Sequence, residues 1–319
     1  MEIQNLQFLQ VLVISSVADT IRMPSTFIHL QQLLQLCCHI VRLPDGFGKL
    51  TSLLEVTITI ESPSMLHYLG CLTELRTLAI DFFYYWDESY EEALIQSLSN
   101  LVNLKSLKIE GTMMISLHSE RDKLYPGPQQ LRSIDMKPRN GFVTGMCSVF
   151  VTSVPRWMSS LCFLSSINII LLSLGEQDIQ VLGSIPSLSD LIIYVKETTQ
   201  DRDERLVIGK SHQFQCLTKL CMIYPSMEVV FAPGGMQNLK KLHLVFRVKE
   251  VMRKFGDCNL GLEHLLSLEH VSLEIFVNNT MPKEVEAVED EIRKALDMNP
   301  GEPTLIIKRH DLLISCFLL

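Results

Sequence analysis

Leucine and other aliphatic residues recur along this chain at intervals that change from three residues to two. Within residues 98–111 they are Leu98, Leu101, Leu104, Leu107 and Ile109. A regular helix keeps apolar intervals of three and four, and a half-buried strand keeps intervals of two. The segment therefore predicts a turning coil that ends in a short strand.

The same L-x-x-L-x-L pattern, with aliphatic substitutions, is found eleven times between residues 9 and 273, and consecutive copies lie 20 to 33 residues apart. The penultimate apolar residues of the copies are Leu12, Leu36, Val56, Leu78, Leu107, Ile134, Ile167, Leu191, Leu220, Leu242 and Val271. In each copy the last two apolar side chains share one side of a strand, and the residue between them points to the other side. One copy cannot bury its leucines alone, so the copies must stack.

This pattern and period are typical of a leucine-rich repeat. We predict an α/β fold, a leucine-rich repeat solenoid whose curved parallel β-sheet lines the concave face and whose convex side is irregular or helical. The repeat array is expected over residues 1–280, in about eleven irregular repeats. The Asn or Cys that often follows L-x-L in such repeats is missing from "KIEGTMM" and "AIDFFYY". The repeat lengths also vary, with insertions near 81–92, 111–130, 137–154 and 195–213, which predicts an uneven array.

Residues 281–319 are predicted to form a C-terminal cap, made of a helix and a strand, followed by a tail. In 281–301, Val285, Val288, Ile292 and Leu296 form one apolar stripe, and Pro282 suits the first turn of a helix. The stretch "TLIIK" predicts a final strand. The apolar tail 310–319 has no role that the sequence defines.

Charge and cysteine content narrow the class of protein. The formal net charge is −8, whereas a nucleic-acid partner requires concentrated Lys and Arg. The nine cysteines are irregularly spaced without a CxxC pair, which favours free thiols in a reducing compartment. No apolar run approaches the roughly 18 residues of a membrane span, and the first residues lack a basic start. We expect a cytoplasmic protein without a membrane span.

Catalytic chemistry is not indicated. Gly209, Lys210 and Ser211 resemble the end of a phosphate-binding loop, but the first glycine of that motif would fall on Glu204. No G-x-S-x-G turn or metal-ligand spacing is present. We therefore expect no enzyme activity, no metal and no cofactor.

Candidate partner-binding residues come from two sources. The aromatic segment around 81–92 supplies Tyr84, Tyr85, Trp86 and Tyr90, which are residue types favoured at interfaces. The alternative is that this segment fills the core of an insertion. We expect a mixed arrangement, with Phe82 and Phe83 inward and Tyr84, Tyr85 and Trp86 partly outward. The outward strand positions supply Lys108, Glu110, Asp135, Lys137, Asp190, Lys219, Lys241 and His243. Such a mixed-charge face suits a protein partner.

Four segments carry a resemblance to a known family. They are "LPDGFGKLTSLLEVTI" at 43–58, "VTSVPRWMSSLCFLSSINI" at 151–169, "VVFAPGGMQNLKKLHLVF" at 229–246, and "LGLEHLLSLEHVSLEI" at 260–275 with the helix that follows it. They resemble the repeat region of plant, cereal-type, intracellular nucleotide-binding leucine-rich repeat disease resistance proteins. The resemblance implies plant defense and innate immunity, through recognition of pathogen effectors or guarded host proteins. It also implies restraint of a nucleotide-binding domain that this chain does not contain.

Other functions remain open from the sequence. They are a stand-alone adaptor such as the substrate receptor of a ubiquitin ligase, a truncated receptor relic, and a cell-surface ectodomain. The last is suggested only by a single G-x-I-P in "GSIPSL" at 183–188.

Overall fold

The structure is a computed structural model, and it describes residues 5–15, 21–82, 86–111, 114–115, 127–137, 150–196 and 204–311. The chain divides into two compact units. Unit 1 consists mainly of residues up to 142 together with 155–164, and unit 2 mainly of 165–319 together with 151–154.

Unit 1 is built on a parallel sheet. Its described strands are β1 (Val11–Ser15), β2 (Ile21–Arg22), β3 (Gln35–His39), β4 (Val41–Arg42), β5 (Glu55–Ile60), β6 (Thr77–Phe82), β7 (Ser106–Gly111), β8 (Met114–Ile115) and β9 (Ser133–Lys137). Strands β1, β3, β5, β6, β7 and β9 pair in that order, all parallel, and β2 pairs separately with β4. Helices α1 (Pro63–Leu69) and α2 (Glu88–Asn100) lie between strands.

After the short β10 (Phe150–Val151), unit 2 repeats this plan. Its strands are β11 (Ser166–Leu171), β12 (Asp190–Val195), β13 (Leu206–Ile208), β14 (Lys219–Ile223), β15 (Val229–Phe231), β16 (Lys241–Arg247), β17 (His270–Phe276) and β18 (Thr304–His310). Strands β11, β12, β14, β16, β17 and β18 form the parallel sheet, and β13 pairs with β15. The helices are α3 (Glu176–Ser184), α4 (Val248–Phe255) and α5 (Pro282–Asp297).

Strand register confirms the predicted repeat. In unit 1 the penultimate apolar residues pair in sequence from Leu12 through Leu36, Val56, Leu78 and Leu107 to Ile134. In unit 2 they pair from Ile167 through Leu191, Leu220, Leu242 and Val271 to Leu305. Equivalent leucines therefore lie side by side, as a leucine-rich repeat requires.

One repeat shows how the opening pattern folds. Leu101, Leu104, Leu107 and Ile109 are each at most 1% exposed. Leu104 N–H donates to the Leu101 carbonyl at 3.1 Å, so the first intervals of three residues are a turn. The last interval of two lies on β7, where both side chains face the core.

The segments that return the chain differ from repeat to repeat. Some contain a single 3₁₀ turn, as in Phe47–Lys49 and Leu262–His264, and others contain an α-helix. The sequence predicts a convex side that is irregular or helical, but it locates only the C-terminal helix, α5, and not α1 to α4. Asp87 caps the N-terminus of helix α2, because its carboxylate accepts the Ser89 N–H at 3.0 Å, and the helix buries Leu94 and Leu98.

Asparagines link neighbouring coils, although they do not follow L-x-L. Asn103 donates from Nδ2 to the Thr73 carbonyl at 3.0 Å, and Asn238 donates to the Gln215 carbonyl at 2.6 Å. Both stand one residue before the leucine that starts L-x-x-L-x-L. The hydrogen bonds that link the coils are therefore made by residues that precede each strand in the sequence, and not by residues that follow L-x-L.

Asn299, which follows α5, makes three hydrogen bonds through its side chain. Its side chain is 2% exposed, and Nδ2 donates to the Leu262 carbonyl at 2.8 Å and the Leu265 carbonyl at 3.0 Å. Its Oδ1 accepts the Gly301 N–H at 2.8 Å. One amide thus joins the end of α5 to the turn that precedes β17.

Unit 2 also holds a buried charge. Glu228 is fully buried, and its carboxylate accepts hydrogen bonds from the Ser226 hydroxyl and the Lys254 ammonium, both at 2.7 Å. Lys254 lies on α4, so the ion pair fixes α4 to the segment that enters β15.

Candidate protein-recognition surface

The candidate surface is the side of each sheet that faces away from the core, which we call the outer sheet face. Successive residues on a strand alternate between core and outer face, so the outer residues fall into rows that cross the strands. In unit 2 the first row is Asp190, Lys219, Lys241, His270 and Thr304, and the second row is Ile192, Cys221, His243, Ser272 and Ile306.

These two rows line one open groove of about 370 Å³ on strands β12, β14, β16, β17 and β18. The polar residues of the first row border it. Ile192 and Cys221 lie toward one end of the second row, and Ile306, which is 58% exposed, lies at the other. The groove therefore has exposed or half-buried apolar surface at both ends, and between them polar side chains stand beside the buried Leu220, Leu242 and Val271.

One ion pair and one hydrogen bond order part of this border. The Lys219 ammonium lies 3.2 Å from the Asp190 carboxylate, and His270 Nδ1 lies 2.7 Å from the Thr304 hydroxyl. Lys241 is exposed, and no carboxylate lies within ion-pair distance of its ammonium among the residues that the structure describes. Its charge acts on Glu269, which is already paired with Lys240 at 2.8 Å.

A second cluster of charged residues lies nearer the C-terminal ends of β17 and β18. Glu274 contacts the Lys308 ammonium and His310 Nε2, each at 3.2 Å. Burial raises the pKa of Glu274, but the Lys308 hydrogen bond and the nearby positive groups outweigh it and hold the pKa below its usual value. Burial lowers the pKa of His243, which favours its neutral form.

The central thiol is not set up for reaction. Burial, together with the charges of Asp190 and Glu274, raises the pKa of Cys221 to about 12. A thiol in this state is a weak nucleophile and a poor metal ligand. No group of three or more His, Cys, Asp or Glu with the geometry of a metal site is found among the described residues. The groove thus presents a protonated thiol and polar side chains that a partner can contact.

The predicted site residues fall into separate groups. Asp190, Lys219, Lys241 and His243 come together in the groove of unit 2. On the outer sheet face of unit 1, Lys108 pairs with Glu110 at 2.6 Å, and Asp135 lies beside Lys108 in the strand register. Lys137 ends β9, but its side chain lies outside the described part of the structure. Whether these residues bind a partner stays a prediction.

The aromatic segment of unit 1 makes contacts within the chain. Trp86 packs edge-on against Phe82, with ring centroids 4.4 Å apart, and its indole N–H donates to Glu91 at 3.3 Å. The Tyr90 hydroxyl donates to the Glu61 carbonyl at 3.0 Å. Phe82 is buried and Trp86 is half-buried, which agrees with the expectation for these two residues, and Phe83 lies outside the described residues. Tyr84 and Tyr85 lie outside the described residues.

Six outer-face residues of the groove were not among the predicted site residues, namely Ile192, Cys221, His270, Ser272, Thr304 and Ile306. Thr304 and Ile306 were assigned to the cap and so were not examined as outer-face positions. The alternation in "TLIIK", in register with "HVSLE" of β17, was the signal that would have found them.

A protein-family model described as leucine-rich repeat region matches residues 1–305. The chain is 28% identical over 316 residues to disease resistance protein RGA5 of Oryza sativa subsp. japonica, with 94% of this chain aligned. It spans 26% of that relative's length.

Solved structures of similar fold include internalin InlF from Listeria monocytogenes, at 15% identity and a TM-score of 0.49, with 99% of this chain and 86% of that chain covered. A structure of TLR13 in complex with ssRNA13 also has 15% identity and a TM-score of 0.49, and covers 88% of this chain and 36% of that chain. No helix among the described residues is long and apolar enough to cross a membrane.

The predicted repeat is therefore confirmed in two ways, by the strand register and by the family match, and the rice relative adds a link to disease resistance. The chain belongs to the leucine-rich repeat region family, whose repeats are scaffolds for protein interaction.

Proposed function

We propose that this chain is the recognition module of a plant immune receptor that acts in the cytoplasm. In this role the outer sheet face binds a pathogen effector or a host protein that the effector alters. The observation that carries the proposal is the alignment of 94% of the chain with a rice disease resistance protein, combined with the open groove on the outer face of unit 2. The free state of the seven described cysteines supports a reducing compartment.

A second part of the proposal concerns control. The chain spans about a quarter of the rice relative, so a nucleotide-binding domain elsewhere in a longer product is the partner that it would restrain. Binding of an effector and binding of that domain would then be coupled, because each changes the affinity for the other.

Site-specific photo-crosslinking tests the recognition part. A benzoyl-phenylalanine is placed at Ser272, in the groove, and in a matched variant at Lys249, which is exposed on α4. Both variants are expressed in rice cells with and without a pathogen. We expect a protein crosslinked through position 272 only. The same set of proteins at both positions would contradict recognition through this face.

A full-length read of the native transcript tests the control part. We expect the reading frame to continue upstream into a segment with G-x-x-x-x-G-K-[ST]. A stop codon close upstream of Met1 would overturn the restraint of a nucleotide-binding domain in the same product, and it would favour an adaptor or a receptor relic.

A further inference from the structure

The groove of unit 2 carries a charge opposite in sign to that of the whole chain. Its ionised lining residues are Asp190, Lys219 and Lys241, which sum to one positive charge with the histidines neutral, whereas the full sequence carries −8. Asp190 and Lys219 neutralise each other at 3.2 Å. The local positive charge is therefore that of Lys241.

The position of Lys241 defines what a ligand must present. It lies on β16, the third of the five strands of the groove, and Ile192 and Ile306 lie on the first and fifth. Strand spacing of about 4.8 Å puts Ile192 and Ile306 about 19 Å apart across the sheet. An extended peptide of about six residues covers that distance.

The most exposed apolar side chains lie at the two ends of the groove, while Leu242 and Val271 line its middle as buried residues. Ile306 is 58% exposed, and Ile192 and Cys221 are half-buried, so each end has aliphatic or thiol surface that a partner's side chain would cover. Between the ends, His243 and Ser272 present polar atoms. A nucleic acid would need several free cations along its backbone, and this groove has one.

We propose that the groove binds an extended acidic–apolar peptide segment of a protein partner. Its carboxylate pairs with Lys241, and apolar residues on either side of that carboxylate contact Ile192 with Cys221 and Ile306. The proposal rests on the proposed function, because it names the class of partner for the same surface.

A random heptapeptide library displayed on phage and selected against the immobilised full chain tests this inference. We expect the enriched peptides to contain Asp or Glu with apolar residues on both sides. For a representative peptide, fluorescence polarisation should show at least a tenfold loss of affinity when its acid is replaced by the matching amide. The variant Lys241→Gln should cause a similar loss.

The control variant is Lys249→Gln, which removes the same charge from exposed α4 and should change affinity less than twofold. Ile306→Ser should lower affinity several-fold without changing the requirement for an acid. Because all three side chains lie on the surface or at its edge, the variants are expected to keep the circular dichroism of the parent chain.

Several results would overturn the inference. They are enrichment of basic or uncharged peptides, no enrichment at all, or an equal effect of Lys241→Gln and Lys249→Gln. If crosslinking through Ser272 still captures a specific protein, the proposed function stands while the acidic–apolar class is wrong. If crosslinking captures no specific protein, the proposed function itself fails.

Discussion

Replacing Asn299 by Ala should loosen the junction between α5 and β17 far more than an asparagine replacement elsewhere in unit 2. The substitution removes two bonds to the buried Leu262 and Leu265 carbonyls and one from the part-buried Gly301 N–H. Each carbonyl keeps one backbone hydrogen bond, from the Leu265 N–H and the Leu268 N–H respectively. Each of these hydrogen bonds contributes about 1 kcal/mol net to stability, so the three lost bonds sum to about 3 kcal/mol. We therefore expect Asn299→Ala to lower the free energy of local unfolding at this junction by about 3 kcal/mol.

Asn238→Ala is the matched control. Its side chain is exposed and donates one bond, to the Gln215 carbonyl, which water replaces after the substitution. Its expected cost is about 0.5 kcal/mol.

Hydrogen exchange measured by mass spectrometry separates the two cases. Since about 1.4 kcal/mol corresponds to a tenfold change in an equilibrium constant, Asn299→Ala should speed exchange roughly 100-fold in peptides covering 261–268 and 297–304. Asn238→Ala should speed exchange about twofold around residue 215. If Asn299→Ala changes exchange in 261–268 by less than threefold, the account of this connection is refuted.

Three further predictions concern unit 2. Lys254→Met leaves the Glu228 carboxylate buried without the Lys254 ammonium, and it should lower the free energy of unfolding in urea by about 3 kcal/mol. Adding Glu228→Gln should restore most of that loss, so equal urea midpoints for the single and double variants would contradict the prediction. Gly261→Ala should lower the melting temperature much more than Gly256→Ala does. Both glycines have positive φ, but only a Cβ at position 261 would overlap a backbone carbonyl, so Gly256→Ala should cost only about 1 kcal/mol of stability. Equal melting temperatures for the two variants would refute the argument. Because burial lowers the pKa of His243, the unfolded chain binds a proton that the folded chain does not, and stability should fall as pH drops below about 6.5. His243→Gln should make this fall smaller, as measured by urea midpoints at pH 5 and pH 7. An unchanged difference between the two midpoints would argue against the prediction.

The repeat was predictable because its signal is local and repeated. The change from intervals of three to an interval of two marks where the turn becomes a strand, and eleven copies fix the register of the strands without any long-range information. The twelfth aligned strand, β18, follows the same alternation but comes after a helix, and it was therefore treated as part of a cap. The division at residue 280 stays a prediction.

The returning segments were less predictable because their structure depends on what they pack against. Helix α1 has seven residues, which is too short for a periodic pattern to be distinct from a turn. Helix α2 is longer, but its first residues follow the aromatic segment, whose composition suggested a binding loop. The capping role of Asp87 was visible in the sequence and would have placed its start.

Outward residues could be placed by alternation, but their interactions could not. Lys219 and Lys241 occupy equivalent positions on neighbouring strands, yet only Lys219 has a carboxylate within reach, because Asp190 precedes it in the row. Such pairing is set by which residues the register brings together, and a single repeat does not reveal it. Recognition of the free lysine therefore required the structure.

The constant strand register has a consequence for how this surface changes during evolution. The pairing of β12, β14, β16 and β17 advances one residue at a time without a shift, although the repeats differ in length. An insertion or deletion inside a strand would exchange core and outer residues, whereas one in a returning segment leaves every row intact. Diversification can therefore proceed by independent substitutions at single outer positions, and by changes in loop length, with little cost to the hydrophobic core.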